Sequence, residues 1–565
     1  MRTQTPSQSP ESELRREDRS LGNSVAAKSE VRSDVAVIQA TQPIVSTAAS
    51  AVQVMGLVDV PIRQEIKALS EPQITNQVSL RNLVCDLQTA ELEVSQEEPA
   101  INEIAVEATP QPYHAIAELA QPQDDEVIVA GKLIRATSAK APESPKLEIK
   151  TAAYAINPNK ENQKENTNEN MMKEIIQEKL NQAVALLQEQ NLDCWLTFVR
   201  ETSQVHDPAL DLILGFGVTW DSAFLCSKTG EKIAIVGRYD GDNIRKLEAY
   251  DQVLTYDQGI RETLRETLAR LNPQSIGLNY SLSDTGSDGL TFGMYARLIS
   301  MLGDTPYAAR FTSADGVVRR LRERKSASEI ARIKTTIEKT QQVYEMMFDL
   351  PLIGMSEKQV HAVTGDFAAH AGCEFGWERI NNPIVNAGPE SSIGHGIPSD
   401  LRIAPGQIVH FDMGLRHEGY CSDLQRVAYA RREGEMQPPD DVTKAWGACW
   451  AALEAGRAVL KPGVVAWQVD AAARAELVKQ GYAEYLHAFG HHVGRNVHDG
   501  GSVLGPRWER YGQLPNMTIE TNNVFAIELG VLLPGYGYIG IEENVVVTEG
   551  GAEWLSEPQR ELVVI

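Results

Sequence analysis

Three apolar runs of strand type each carry an acid in mid-run: VHFDMG holds Asp412, VFAIELGVLL holds Glu528, and IGIEENVVV holds Glu542 and Glu543. An ionised carboxylate enclosed by such neighbours is costly unless a partner compensates it. Strands of this kind must therefore bring their acids to a shared partner, which limits the chain to folds in which they converge. A fourth acid, Asp423, follows Asp412 by eleven positions across GLRHEGY. Those turn residues predict a β-hairpin with both aspartates on one side of the sheet. Two unpaired carboxylates so placed repel one another and are driven to protonate unless a cation neutralises them.

Between the hairpin and the late strands lies HAFGHHVGRNVHDGG, which packs His487, His491, His492 and His498 into twelve residues. It is the densest histidine cluster in the chain. Glu528 and one of Glu542 and Glu543 should face the same side, and strand alternation alone does not choose between the two. Two aspartates, two glutamates and one histidine form an oxygen-rich site with a single nitrogen donor, and four carboxylates balance two divalent cations. That charge count points to a dinuclear centre with a bridging hydroxide, used for hydrolysis when the ions lie about 3.5 to 4 Å apart. Ligand hardness favours Mn²⁺, with Co²⁺, Zn²⁺ and Fe²⁺ as alternatives.

Composition divides the 565 residues unevenly. Residues 1–168 contain no Trp and no Phe, whereas all eight tryptophans lie from Trp195 onward. The first segment is rich in Ser, Ala, Gln, Glu and Pro without sustained periodicity, so residues 1–170 are expected to be a disordered extension, or sequence ahead of the true start. Helical spacing begins near Met172. The strand-like CWLTFVR, AFLCSK, KIAIVG, QVLTY and SIGLNY alternate with helical patterns near Ile260–Leu271 and Leu290–Leu302, which predicts an α/β domain over 171–324. After the basic run RRLRERKS, Ser326 and Glu329 form a capping-box signature that opens a second, α+β domain over 325–565. Further helices are expected from Ser356, over Val442–Leu460 and over Trp467–Gln480.

A formal charge of −24 argues against a nucleic-acid surface. No apolar run approaches the roughly 20 residues that span a bilayer, so no membrane is expected as a partner. Six cysteines, Cys85, Cys194, Cys226, Cys373, Cys421 and Cys449, lack a CxxC pair, which suits free thiols and a cytoplasmic location.

The order Asp-x10-Asp, then G-H-x-x-G with a histidine seven positions on, then Glu-x13-Glu, resembles the pita-bread metallopeptidases: methionine aminopeptidase, aminopeptidase P and prolidase. The match runs from about Ser326 to the end. The preceding α/β unit is similar to the creatinase-like domain found before the catalytic domain in aminopeptidase P, prolidase and creatinase. The resemblance implies hydrolysis of short peptides at Xaa-Pro bonds. It makes Asp412, Asp423, His491, Glu528 and Glu542 the metal ligands, with Glu542 preferred to Glu543 because the family binds the first acid of its Ile-Glu-acidic triplet. It makes His395, in SSIGHGIPSD, and His498 the histidines that orient substrate and stabilise the tetrahedral intermediate, and Glu528 also the proton shuttle. A metal-independent hydrolase of creatinase type and a non-catalytic peptide-binding protein are the rival expectations. Five retained ligands count against the first, and His395 beside His498 against the second. A homodimer is one expectation for assembly, which the sequence does not fix.

Several neighbours have plainer readings. His410 is expected to be a hydrogen-bonded core histidine, His417 an exposed loop residue, His487 a structural or subsite residue, and His492 a pocket liner or filler. Cys421 and Ser422 read as packing, and RRLRERK as a solvated, ion-paired linker. Two departures from the family stand out: Leu529 replaces the usual proline, and Gly540 replaces an arginine often found two positions before the last ligand. Arg495 is a candidate for the lost anchoring charge, against an ordinary surface residue.

Overall fold

The computed structural model describes residues 128–135, 148–155 and 158–565, with side chains from Met172. Most of the expected extension over 1–170 lies outside the described residues. The part that is described comprises β1 (Ile128–Arg135) and β2 (Glu148–Ala155), an antiparallel pair, and the start of helix α1 (Pro158–Glu189). That helix begins ahead of Met172, where apolar spacing sets in, because nothing in its polar first turns forbids helix. Its later turns bury Ile175, Ile176, Leu180, Leu186 and Leu187.

The next six strands are β3 (Cys194–Val199), β4 (Ser222–Ser227), β5 (Lys232–Gly237), β6 (Gln252–Tyr256), β7 (Ile276–Leu278) and β8 (Phe311–Ser313). They form one mixed sheet in the order β6-β5-β4-β3-β7-β8, with antiparallel pairs at β3–β4 and β4–β5 and parallel pairs elsewhere. Helices α2 (Arg261–Leu271) and α3 (Phe292–Leu302) supply the crossovers, and apolar clusters cover both faces. The strands read as continuous apolar runs for that reason.

Helix α4 (Asp315–Glu323) carries most of the basic run. Here the expectation of a solvated linker fails: Arg319, Arg322 and Lys325 are buried. Burial is tolerated because each cation meets a carboxylate, Arg319 on Glu323 and both Arg322 and Lys325 on Asp499. Lys325 Nζ lies 2.8 Å from Asp499 Oδ2. The chain then enters α5 (Ala327–Phe348), capped by Ser326 and Glu329, and α6 (Glu357–His370), capped by Ser356 and Gln359.

The later part of the chain supplies strands β9 (Glu374–Phe375), β10 (Ile384–Ala387), β11 (Gln407–Met413), β12 (Leu415–His417), β13 (Tyr420–Cys421), β14 (Leu424–Ala430), β15 (Gly490–His492), β16 (Val524–Leu533), β17 (Gly537–Thr548), β18 (Gly551–Trp554) and β19 (Val563–Val564). Eight of them form a sheet with the path β10-β11-β14-β17-β16-β15, to which β18 and β19 add at β17 and β14. Helices α7 (Asp440–Val459) and α8 (Ala466–Lys479) pack with one apolar cluster of the sheet, and α5 and α6 with another. The expected hairpin is present as β11–β14, but its register pairs Asp412 with Gln425 and Met413 with Leu424. Asp423 therefore sits one residue ahead of β14. The intervening residues do more than turn, since β12 and β13 pair with each other and β12 with β9.

Candidate metal and catalytic site

Backbone pairing aligns the acids. Across β11, β14, β17 and β16, Asp412 lies opposite Gln425, Gln425 opposite Glu542, and Glu542 opposite Glu528. Directly paired residues of antiparallel strands project to the same side, so this row presents three carboxylates and one carboxamide on one face. Asp423, two residues before Gln425, joins them, its backbone clamped by Asn544: the Asp423 N–H donates to Asn544 Oδ1 at 3.1 Å, and Asn544 Nδ2 donates to the Asp423 carbonyl at 2.8 Å. Glu543 takes the other side of β17. Arg426 Nη1 donates to it at 3.0 Å, as do the Ser556 hydroxyl at 2.6 Å and the Gln559 N–H at 2.8 Å. The choice that alternation left open between Glu542 and Glu543 is thus geometrically clear.

His491 reaches the row from β15, where it pairs with Ala526, two residues before Glu528. Its Nδ1 lies 3.3 Å from the His492 carbonyl oxygen, an acceptor, which makes Nδ1 the N–H and turns the Nε2 lone pair toward the carboxylates, where a shared cation would take it. Nε2 stands 3.5 Å from Asp423 Oδ2 and 3.7 Å from Glu542 Oε1. These ligand atoms of Asp423, His491 and Glu542 lie within 4.8 Å of one another, and the two imidazole contacts are too long for good hydrogen bonds and suited to a shared cation. Asp412 and Glu528 line the same cavity of about 370 Å³.

Electrostatics make the same demand. Burial, and then the charge of Glu528, pushes the Asp412 carboxyl well above the usual range. Burial raises Asp423, reinforced by Glu542, Asp412 and Glu528, and it raises Glu542, reinforced by Glu528 and Asp412. Glu528 is also raised by burial, against the opposing charge of His491. Asp412 Oδ1 and Asp423 Oδ1 are buried with no hydrogen-bond partner in the protein. Four carboxylates that burial disfavours as anions, with unbonded oxygens and one imidazole nitrogen directed at them, fit hard divalent cations.

His395 and His498 line the cavity and are exposed to it. The His498 ring stands nearly perpendicular to His491, centroids 4.3 Å apart. The charge of His491, then burial and His395, push His498 down to about 3. The other histidines behave variously. His410 is a buried, hydrogen-bonded residue, as expected. His417 lies on β12 rather than in a loop, its Nδ1 2.9 Å from the Gly372 carbonyl oxygen. His492 is fully buried and turned away from the cavity, with Nε2 2.9 Å from Ser502 Oγ and 3.4 Å from Glu323 Oε1. Cys421 is buried, its thiol pushed up to about 11 by burial, which suits packing and not nucleophilic work. Arg495 does not line the cavity; its guanidinium stacks on the Tyr420 ring at 4.5 Å.

Two contributors escaped sequence reasoning. Gln425 shares the face of Asp423 by period-2 spacing, a signal that was present and unused. The wall formed by Trp377, Glu378 and Asn381 comes from a segment without any motif.

The fold and the row of ligand-type side chains define a hydrolase of metallopeptidase class. Residues 331–549 match the model of metallopeptidase family M24, and the chain carries a domain of that family with its pita-bread fold. Among relatives, the chain is 25% identical over 348 residues to YqhT of Bacillus subtilis (strain 168), described as an uncharacterized peptidase, covering 61% of this chain and 90% of that one. It is 29% identical over 266 residues to an Xaa-Pro dipeptidase of Lactobacillus helveticus, covering 46% and 68%. Among solved structures, an X-Pro aminopeptidase from Thermotoga maritima MSB8 superposes with a TM-score of 0.53 at 25% identity, over 68% of this chain and 98% of that one.

Proposed function

We propose that the chain is a metal-dependent peptidase that hydrolyses the Xaa-Pro bond of short peptides, in the manner of aminopeptidase P or prolidase. The convergence of Asp423 Oδ2, His491 Nε2 and Glu542 Oε1 beside the unbonded Oδ1 atoms of Asp412 and Asp423 carries this reading. Asp412, Asp423, His491, Glu528 and Glu542 would hold two divalent ions, Mn²⁺ by ligand hardness. When bound, such ions acidify water and polarise the scissile carbonyl. Glu528 is a carboxyl raised by burial, so it can take a proton and return it to the leaving amine. His498, neutral at neutral pH, offers an imidazole N–H toward a developing oxyanion, and His395, which lines the same cavity, orients the peptide. Trp377 and Ile384 supply apolar surface for a proline ring.

The domain reading accompanies this proposal: an extension over 1–170, a creatinase-like domain over 171–324 and the catalytic domain over 325–565. Among the described residues no helix is long and apolar enough to cross a membrane. A cytoplasmic setting is part of the same proposal, in keeping with five described cysteines that are all free thiols. A peptide panel tests the activity. Manganese-loaded protein should cleave Xaa-Pro peptides and leave Xaa-Ala controls intact; equal cleavage of both would remove proline specificity, and cleavage of neither would remove the peptidase reading.

A further inference from the structure

Gln425 is the one uncharged member of the row Asp412, Gln425, Glu542, Glu528. It is nearly buried, at 7% exposure, and its Nε2 donates to Glu528 Oε2 at 3.1 Å. Behind it lies His410, also buried, which as the Nε2–H tautomer donates to Gln425 Oε1 at 2.9 Å, while its Nδ1 lies 2.8 Å from the Asn386 carboxamide. Asn386 pairs directly with His410 across β10 and β11, and its Nδ2 donates to the Ser392 carbonyl at 2.6 Å. Ser392 precedes His395 by three residues. A continuous buried chain of polar groups therefore runs from the loop that bears His395 to the Glu528 carboxylate.

We propose that His410 and Gln425 act as a positioning pair that fixes the Glu528 carboxylate toward the metal ions, an inference that rests on the metallopeptidase reading of the site. The type of residue at position 425 follows from the row. An acid there would add a further negative charge to four buried carboxylates, and an apolar residue would leave Glu528 Oε2 without its donor. The same arrangement accounts for Gly540. A Cβ at that position would stand 2.3 Å from Gln425 Oε1 and 2.6 Å from His410 Nε2. The space that an arginine would need is filled by the imidazole and the carboxamide, so glycine at 540 and the polar pair at 410 and 425 are one coupled choice.

Groups that orient metal ligands typically cost 10- to 100-fold in metal affinity or activity when removed. Calorimetric titration of metal-stripped, full-length protein with Mn²⁺ should therefore show affinity falling about tenfold in Gln425→Leu and in His410→Phe, with the double variant no worse than the weaker single because both act through one chain. Gly540→Ala, which removes no polar group, should weaken binding in the same direction. In peptide assays kcat should fall with KM unchanged. Wild-type Mn²⁺ affinity and kcat in both single variants, even with a lowered Tm, would reduce the pair to a packing role and overturn the proposal. Losses that add in the double variant would also overturn it, because the two residues would then act separately. A wild-type protein that binds Mn²⁺ yet cleaves no Xaa-Pro peptide would instead refute the peptidase reading, while the affinity comparison still decides on the pair.

Discussion

Glu542 and Glu543 are adjacent, equally buried, and opposite in circumstance. Glu543 has Arg426, Ser556 and the Gln559 N–H as partners, whereas Glu542 faces Glu528 and the His491 imidazole. An acid with its own cation needs no metal, and one pressed against other acids does. That distinction separates the residues by the effect of removing them. Asp423→Ala and His491→Ala should each abolish hydrolysis and lower bound metal as measured by elemental analysis, because each deletes a donor and leaves the remaining carboxylates repelling one another. His498→Ala should keep its metal and lose at least about a hundredfold in kcat, the scale set by removing one group that stabilises an oxyanion. A parallel fall of metal and rate in that variant would make His498 a ligand. The grouping of two aspartates, two glutamates and one histidine was legible from residue types and spacing, whereas the choice of Glu542 over Glu543 and the separate role of His498 came only with the family resemblance. The placement of Arg495 was not legible, because one residue between two site histidines can turn toward either face, and here it turns to Tyr420.

Among the elements, strand periodicity and capping were written locally and could be read. The boxes at Ser326 and Ser356 start α5 and α6 as their sequences require. Register was not legible: the pairing of Asp412 with Gln425 depends on β12 and β13 inserting their own ladder between the long strands. The contact of α4 with the histidine loop was equally hidden, since it joins residues far apart in sequence. Asp499 stands at its centre, its carbonyl and carboxylate both bonded by Arg322, with Lys325 Nζ and the Asn496 N–H also on the carboxylate. Burial pushes this carboxyl up, but Arg322 and Lys325 more than offset it and hold the pKa at about 2. A folded pKa below the ordinary carboxylate value contributes stability that is complete above about pH 4 and lost as pH falls through about 2. Asp499→Asn should therefore cost about 3 kcal/mol at pH 7, the scale of breaking a buried ion pair, and flatten the loss of stability between about pH 4 and pH 2. Denaturant unfolding across that range measures both. An unchanged acid limb would show that Asp499 is not the group responsible.

For the whole molecule, the site draws on strands from β11 to β17, and α4 reaches the loop beside His498 through the Arg322–Asp499 ion pair. The described apolar clusters begin at Ile175, and composition marks the same boundary. A chain starting at residue 158 should thus retain peptidase activity and a Tm close to that of the full-length protein; a large drop in either would assign residues 1–157 a part in the catalytic fold. The central claim is that buried carboxylates and one imidazole converge in order to hold catalytic metal. It is tested most directly by stripping the protein with a chelator and following hydrolysis of an Xaa-Pro dipeptide as Mn²⁺ is returned, with bound metal counted at each point. Activity should vanish on stripping and rise with occupancy to two ions per chain. Hydrolysis that persists undiminished in metal-free protein would contradict the account.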